Sequence, residues 1–467
     1  MKMTIAIALD LGTTSIKAGL LDQDGVLGGI VARPSPKITV AGGRYESDAL
    51  AYAELAEQVL NECTAQAGDC RTLGLCSQRS SFLIWERASG QPITPLISWQ
   101  DNRGASSCED LRAHQRLISE LTGLPLTPYY FAPKLRSLFQ GNAGLRARLE
   151  SGELLAGMLD TFLVWRWSGG KHFVTDASMA ARALLMVIRQ QQWSPALCEL
   201  FGIPAQILPQ IRSSAGMNLL LDNGLTLQAS VGDQSAALIA GIGADSAEAL
   251  VNLGTGGFVV RYLPEGKAAL GGYLRTLVYQ DSGLRAHLAI EGTLNSIAAA
   301  LAPYPFAECR IEDLARDEIF CIAEPSGLGA PYFRNDLGLQ FSQPIGHLLQ
   351  RQIAALLLEA VIFRVARILE DFHRDSALER VYLSGGLSEL TCLQQGIARC
   401  VPVAVYRLIQ GESSLQGAAL LAAGMAPASH REAARVLPES RDTALPEKYR
   451  RWNEWLDALL VQKEPGT

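Results

Sequence analysis

Asp10-Leu11-Gly12-Thr13-Thr14 and Asn252-Leu253-Gly254-Thr255-Gly256 repeat one loop pattern 242 residues apart in a chain of 467. Each follows a short apolar run, Ile5 to Leu9 and Ala249 to Val251, and leads into another, Ile16 to Leu21 and Phe258 to Val260. Both therefore read as strand-turn-strand hairpins. Gly, Thr and Ser at such a turn let backbone N–H groups and hydroxyls converge on an anion with no bulky side chain intervening. A phosphate is the natural guest. A Gly-Thr-Thr in a hairpin also serves as a plain turn, but repetition at half-chain spacing reflects repeated architecture. The pair predicts two lobes that close on one nucleotide.

Length and composition agree with two domains. With 48% hydrophobic residues the chain can bury large cores, and it is too long for one ordinary domain. The net charge of −6, with acidic and basic residues mixed, offers no basic stripe for nucleic acid or an anionic membrane. Nine cysteines include no C-x-x-C pair, and six scattered histidines add no zinc spacing. Asp10 ends the first apolar run too early for a signal peptide, and no stretch of about 18 apolar residues could span a bilayer. A soluble cytoplasmic protein acting on small molecules is expected.

Along the chain, the start reads as a meander through Val31, with a turn at Asp24-Gly25, followed by a helix over 48–62. Leu73 to Cys76 and Phe82 to Trp85 read as strands flanking Ser77-Gln78-Arg79-Ser80, and 152–167 reads as a helix. Gly232-Asp233-Gln234 opens a small-residue helix closed by Gly241 and Gly243, and the domain boundary is placed near 242. The N-terminal lobe is thus 1–242 and the C-terminal lobe 243–467. The second half repeats the order, with a helix after Glu291-Gly292, a long helix over 349–373, a strand at Val381 to Leu383 and a tight turn at Gly385-Gly386. A buried helix is expected over Gly411 to Gly424. Tyr449, Trp452 and Trp455 at helical spacing predict a tail helix over about 445–460 that docks back on the fold. The fold class is α/β, each lobe a mixed sheet flanked by helices.

Other nucleotide motifs, G-x-G-x-x-G and G-x-x-x-x-G-K-[ST], do not occur. His373-Arg374-Asp375 imitates a protein-kinase catalytic loop but lacks the following Asn and falls late in a predicted helix.

Taken in order, Asp10 to Lys17, Trp99-Gln-Asp101-Asn-Arg103, Gly232-Asp233-Gln234, Asn252 to Gly256 and Ser384-Gly-Gly386 resemble the FGGY carbohydrate kinases, and most closely the glycerol kinases among them. The resemblance runs nearly end to end, through Ser77-Gln-Arg79, Pro128-Tyr129, Leu159-Asp160-Thr161, Gly327 to Pro331 and the Gly417-Ala-Ala helix. It implies the actin-like, ribonuclease H-like sugar-kinase fold with its active site in the cleft, and an ATP-dependent transfer of a phosphoryl group to a polyol or ketose hydroxyl. Phosphoryl transfer needs a positioned nucleophile, a metal to neutralise charge and donors on the phosphoryl oxygens. The resemblance makes Asp233 the general base, since a carboxylate beside a Gly turn can approach substrate closely. As the opening residue of a helix, Asp233 is also a respectable N-cap. Asp10 is assigned to Mg²⁺ through water. Thr13, Thr14, Lys17, Thr255, Gly256, Gly385 and Gly386 are assigned to the nucleotide, and Arg79, Ser80, Trp99, Tyr129, Gln234 and Phe258 to the acceptor pocket. Trp99 and Phe258 could also be ordinary core aromatics. The resemblance allows a homodimer.

The chain departs from the family pattern in two places. Glycerol kinases usually follow the pocket arginine with a glutamate, where this chain has Ser80, which disfavours glycerol and favours a longer polyol or a ketose. On the adenine side, Leu390 stands where an asparagine is usual, and Ala298 and Ala302 where glycine and glutamine are common, so base contacts are expected to be loose. These changes motivate an alternative: a catalytically weak or inactive sensor of sugar or nucleotide with the same cleft.

Overall fold

A computed structural model of the chain describes residues 2–461 except 245, 265, 268–269, 410, 430 and 439–442. The chain divides into two compact units, one of Met1–Gly243, Arg275–Leu288 and Gly411–His430, the other of Ala244–Leu274, Ala289–Gln410 and Arg431–Thr467.

The first unit is organised by a six-stranded mixed sheet in the order Ala215–Leu220, Thr226–Gly232, Thr72–Ser77, Thr4–Leu11, Ser15–Asp22, Leu27–Pro34. Thr4–Leu11 is buried almost throughout, as its run of apolar residues demands. Three of these strands are parallel, and their register sets Leu11 opposite Ser77 and Ser77 opposite Gly232. Their carboxyl ends therefore finish side by side, the position where α/β sheets place ligands. Asp10, Gln78-Arg79 and Asp233 emerge there.

Behind this edge two helices pack without intervening side chains. Asp233–Gly241 and Ser413–Ala422 approach so closely that a Cβ on Gly417 would lie 1.8 Å from the Ala236 carbonyl oxygen. Gly74 allows the same on the sheet side, where a Cβ would meet the Ala418 carbonyl oxygen at 2.3 Å. Ser413–Ala422 is thus wedged between strand and helix, which is why Gly411–His430 counts with the first unit although it follows most of the second in sequence. A second, five-stranded sheet carries Phe82–Glu86 between Leu96–Ile97 and Leu154–Met158.

That last strand corrects the helix expected over 152–167. Leu154–Met158 pairs antiparallel with Phe82–Glu86, all five residues are buried, and the helix begins only at Leu159. A short apolar run buried on both faces carries no periodicity to separate strand from helix. The remaining expected helices span Ala49–Thr64, Asp233–Gly241, Gln350–Asp375, Ser413–Ala422 and Ala444–Val461. Glu291 and Gly292 lie inside the strand Ala286–Leu294, and the short helix Ile297–Leu301 follows.

The second unit repeats the opening motif. Glu248–Leu253 turns into Gly257–Tyr262 and pairs in parallel with Arg380–Ser384, which pairs in parallel with Ala404–Leu408. Its core is built on Gln350–Asp375, a 26-residue helix buried along most of its length. In the tail helix Leu445, Tyr449, Trp452 and Leu456 form one buried stripe at helical spacing, and the Trp452 indole N–H donates to the Cys321 carbonyl at 2.8 Å. Among the described residues no helix is long and apolar enough to cross a membrane.

Candidate active site

Asp233 is the first residue of its helix, preceded by Gly232 in extended conformation. The Gly232 N–H donates to Ser178 Oγ at 2.9 Å, and the Asp233 carboxylate accepts the Gln234 N–H at 2.7 Å. Glycine is required at 232 because a Cβ there would lie 2.7 Å from Arg79 Cδ. Arg79, 5% exposed, sets its Nε 3.7 Å from the Asp233 carboxylate and donates through Nη2 to the Gln234 side-chain oxygen. Burial raises the Asp233 pKa, while Arg79 and, more weakly, Arg182 pull it back down. Some 31% of the Asp233 side chain stays open to solvent. The site therefore holds a reachable carboxylate whose charge is balanced by a buried guanidinium.

Asp10 lies nearby on the central strand. Its Oδ1 is buried and has no hydrogen-bond partner among the described residues. Burial and the charge of Asp233 push its pKa up to about 7, against weaker opposition from Cys76 and Lys17. A buried carboxylate oxygen without a donor, close to a second carboxylate, suits a hard divalent cation. Mg²⁺ keeps several waters and takes few protein carboxylates, and among the described residues no group of three or more His, Cys, Asp or Glu side chains could cage a metal. Lys17 is paired with Glu412 at 2.6 Å.

The first loop is tied into the acceptor side. Thr13 Oγ1 accepts the Trp99 indole N–H at 3.0 Å and donates to Gln78 Oε1 at 3.2 Å. Gln78 Oε1 also accepts from Ser81 Oγ at 2.8 Å, and Ser81 Oγ accepts the Trp99 backbone N–H at 3.0 Å. Tyr52 closes the network, donating to the Gly12 carbonyl at 2.8 Å. Trp99 and Tyr129, both half-buried, tilt against each other with ring centroids 5.5 Å apart. Asp101, fully buried, anchors the loop after Trp99 through Tyr45 N–H and Arg103. Thr14 is exposed.

Ser80 takes a different place from the one its neighbours suggest. It is fully buried, its φ is +62°, and its hydroxyl donates to the Arg182 carbonyl at 3.2 Å. The side chain thus turns into the protein, and its carbonyl accepts from Lys134. Gln78, Ser81, Tyr52, Ser178 and Lys134 all support this site and were not singled out in the sequence. Gln78 lay within a quoted motif; the others carry no local signal.

In the second unit, Thr255 is exposed and its carbonyl accepts the Ala298 N–H at 3.1 Å. The loop closes on itself through Gly254 N–H to the Gly256 carbonyl at 2.8 Å. Phe258, half-buried, lies opposite Asn252 in the hairpin register. Gly385 has φ +85°, and a Cβ there would lie 2.4 Å from the Leu253 carbonyl oxygen, whereas Gly386 faces open space. Leu390 stands at the N-cap of Thr391–Cys400 with no side-chain cap bond and packs against the unit's core. Ala298 lies in Ile297–Leu301, and Ala302 caps that helix.

Comparison with known proteins follows this geometry. The N-terminal domain of the FGGY family of carbohydrate kinases matches residues 5–252, and the C-terminal domain matches residues 235–426. The glycerol kinase of Alkalilimnicola ehrlichii is 33% identical over 447 residues, covering 90% of this chain and 90% of that protein. The glycerol kinase of Rhodopirellula baltica is 32% identical, covering 98% and 90%. Among solved structures, Plasmodium falciparum glycerol kinase with ADP superposes with a TM-score of 0.86 at 21% identity, covering 99% of each chain. A ligand-bound xylulose kinase from Lactobacillus acidophilus gives 0.79 at 18% identity, covering 98% of each. These structural likenesses establish the mixed α/β fold of the actin-like sugar kinases.

Proposed function

This chain belongs to the FGGY family of carbohydrate kinases and is a phosphotransferase with an alcohol acceptor, and on that premise we propose that it transfers the γ-phosphoryl group of Mg-ATP to a hydroxyl of a small polyol or ketose, with Asp233 as general base. The observation that supports this reading best is the Asp233 carboxylate at a helix start, partly open to solvent and 3.7 Å from buried Arg79. Asp233 takes the proton of the acceptor hydroxyl as its oxygen bonds to the γ-phosphorus and the bond to the bridging oxygen breaks, releasing ADP. Burial raises the Asp233 pKa, and the guanidinium beside it opposes that rise, favouring the ionised form a base must have before it acts. Arg79 and Gln234 orient acceptor hydroxyls, with Trp99, Tyr129 and Phe258 as apolar walls. Thr13, Thr14, Lys17, Thr255, Gly256, Gly385 and Gly386 take the nucleotide, Lys17 exchanging Glu412 for phosphate. Asp10 would hold a hydrated Mg²⁺, which would supply charge neutralisation at the phosphates.

Ser80 bears on the acceptor. With its hydroxyl committed to the Arg182 carbonyl, the position presents no carboxylate to a substrate hydroxyl. This favours a longer polyol or a ketose over glycerol, although the curated relatives above are glycerol kinases. The test is ADP release with Mg-ATP over three- to seven-carbon polyols and ketoses, run beside Asp233→Asn. One acceptor should support turnover, and the variant should lose about 10²–10⁴-fold in kcat while unfolding like the native chain. Binding of ATP and sugar without turnover in the native protein would instead identify the sensor.

A further inference from the structure

Lys134 stands in the first turn of the helix Phe131–Gly141 and is completely buried. Its ammonium donates to two backbone carbonyls, Ser80 O at 2.9 Å and Ser98 O at 2.9 Å. Among the described residues no carboxylate lies within ion-pairing distance of it; the Phe82 ring is 5.9 Å away, and the charges of Asp101 and Arg103 act on it from further off with opposite sign. Burying an ammonium with no directly paired counter-ion is costly, and carbonyl dipoles, an aromatic face and the distant Asp101 charge, itself opposed by Arg103, offset this only in part. Burial also drives its pKa down to about 7. A methionine would fill similar space without that cost, so packing alone does not explain a lysine here.

Its two acceptors point to what the charge does. Ser80 follows Arg79, and Ser98 precedes Trp99, so one ammonium joins the two loops that carry the cationic and the aromatic residues of the acceptor side. The Ser80 backbone is left-handed, at φ +62°, a conformation that must be held from outside for a residue with a Cβ. The Lys134 bond to the Ser80 carbonyl is one such hold. Downstream, the Trp99 indole is fixed on Thr13 and tilts against Tyr129.

We propose that Lys134 is a positioning residue for acceptor specificity: by bridging the Ser80 and Ser98 carbonyls it fixes the spacing between the Arg79 guanidinium and the Trp99 ring. The kinetic consequence rests on the kinase reading above, whereas the structural one does not.

The experiment uses the full-length chain with Lys134→Met and Lys134→Arg, each with and without Trp99→Phe, so that the emission of Trp99 is obtained by difference. Lys134→Met should shift Trp99 emission to the red while keeping a native circular dichroism spectrum and a cooperative unfolding transition. Lys134→Arg, which keeps a charged donor, should recover part of the shift. With the acceptor that the ADP-release panel identifies, Lys134→Met should raise the acceptor KM about tenfold and leave the ATP KM within about twofold. Unchanged Trp99 emission in Lys134→Met overturns the proposal. So does an equal rise of both KM values, or loss of cooperative folding in both variants, which would make Lys134 a fold residue only. If the native chain phosphorylates nothing on the panel, the kinase reading fails, and the emission of Trp99 still decides the role of Lys134.

Discussion

The two loop hairpins share a topology and differ in what holds them. In each, a strand turns antiparallel on itself and pairs in parallel with a third strand, so that Asp10 lies opposite Lys17 and Cys76 while Asn252 lies opposite Phe258 and Ser384. The first loop is knitted by side chains: the Gly12 carbonyl accepts from Ser35 Oγ at 2.9 Å and from Tyr52, and Thr13 bridges Gln78 and Trp99. The second loop is held by its own backbone, and Thr255 remains exposed. One fold element thus supplies a rigid, carboxylate-bearing turn in one unit and an open turn rich in glycine in the other. The difference teaches that repeated architecture specifies where the chain turns, and that the residues packed behind each turn specify how freely it can move.

Making the first hairpin resemble the second should have the largest effect. Asp10→Asn gives position 10 the amide found at 252, and turnover with Mg-ATP should fall about 10²-fold or more, because an amide holds a hydrated cation far less well than a carboxylate. Thermal unfolding should show the variant no less stable than the native chain, since the lost carboxylate oxygen was buried without a donor. Full turnover in Asp10→Asn would remove Asp10 from the proposed chemistry. The converse change, Asn252→Asp, should add no activity.

A second pair of substitutions tests rigidity against openness. A Cβ on Gly12 would lie 2.6 Å from the Ser15 carbonyl oxygen, whereas one on Gly254 would meet nothing within 4 Å. Gly12→Ala should therefore cost about 2–3 kcal/mol by denaturant titration and Gly254→Ala less than about 0.5 kcal/mol. In the turn after the third strand, Gly385→Ala should resemble Gly12→Ala, since it combines a positive φ with a Cβ 2.4 Å from the Leu253 carbonyl oxygen. Gly386→Ala should be nearly silent. Equal costs at 12 and 254 would show that the two loops are equally constrained.

The hairpins were legible in the sequence because turn chemistry is local: glycine and hydroxyl residues between two apolar runs declare themselves without knowledge of their neighbours. Asp233, beside a glycine and before a small-residue helix, was legible for the same reason. What escaped depends on contacts across long sequence separations. Lys134, the first charged residue of its helix, reads as a surface lysine until Ser80 and Ser98 are seen to close over it. The inward turn of the Ser80 hydroxyl follows from a left-handed backbone that serine does not announce. Leu154–Met158 became a strand through its pairing with Phe82–Glu86, and its five apolar residues carry no mark of that partner. Gly417 was quoted within a helix motif, but its necessity comes from Ala236, 181 positions earlier in the chain.

A contrast between two kinds of buried carboxylate sets the smallest effect. Some buried carboxylates are paired with cations: Glu324 with Arg364 at 2.7 Å and Glu359 with Lys448 at 2.5 Å in the second unit, and Asp101 with Arg103 at 2.7 Å in the first. Asp160 and Asp176, also in the first unit, are instead buried together with hydroxyl and backbone donors, Asp160 accepting from Thr175 Oγ1 at 2.8 Å and Asp176 from Ser214 Oγ at 2.6 Å. Burial, with the charge of Asp176 beside it, raises Asp160 to about 7, and burial raises Asp176 to about 6, from an ordinary value of 3.8. A carboxyl whose folded pKa lies above its unfolded one keeps its proton longer in the fold. Its contribution is fully present below about pH 4 and is lost as pH rises through 7. Asp160→Asn keeps an acceptor for Thr175 and abolishes this titration. The variant should match the native chain near pH 4 and exceed it by about 1 kcal/mol or more at pH 8, read as a higher melting temperature. Glu324→Gln, which breaks a buried ion pair, should destabilise at both pH values. A gain for Asp160→Asn that is the same at pH 4 and pH 8 would show that Asp160 is ionised throughout and that hydroxyl-held and cation-paired carboxylates do not differ in how they hold buried charge.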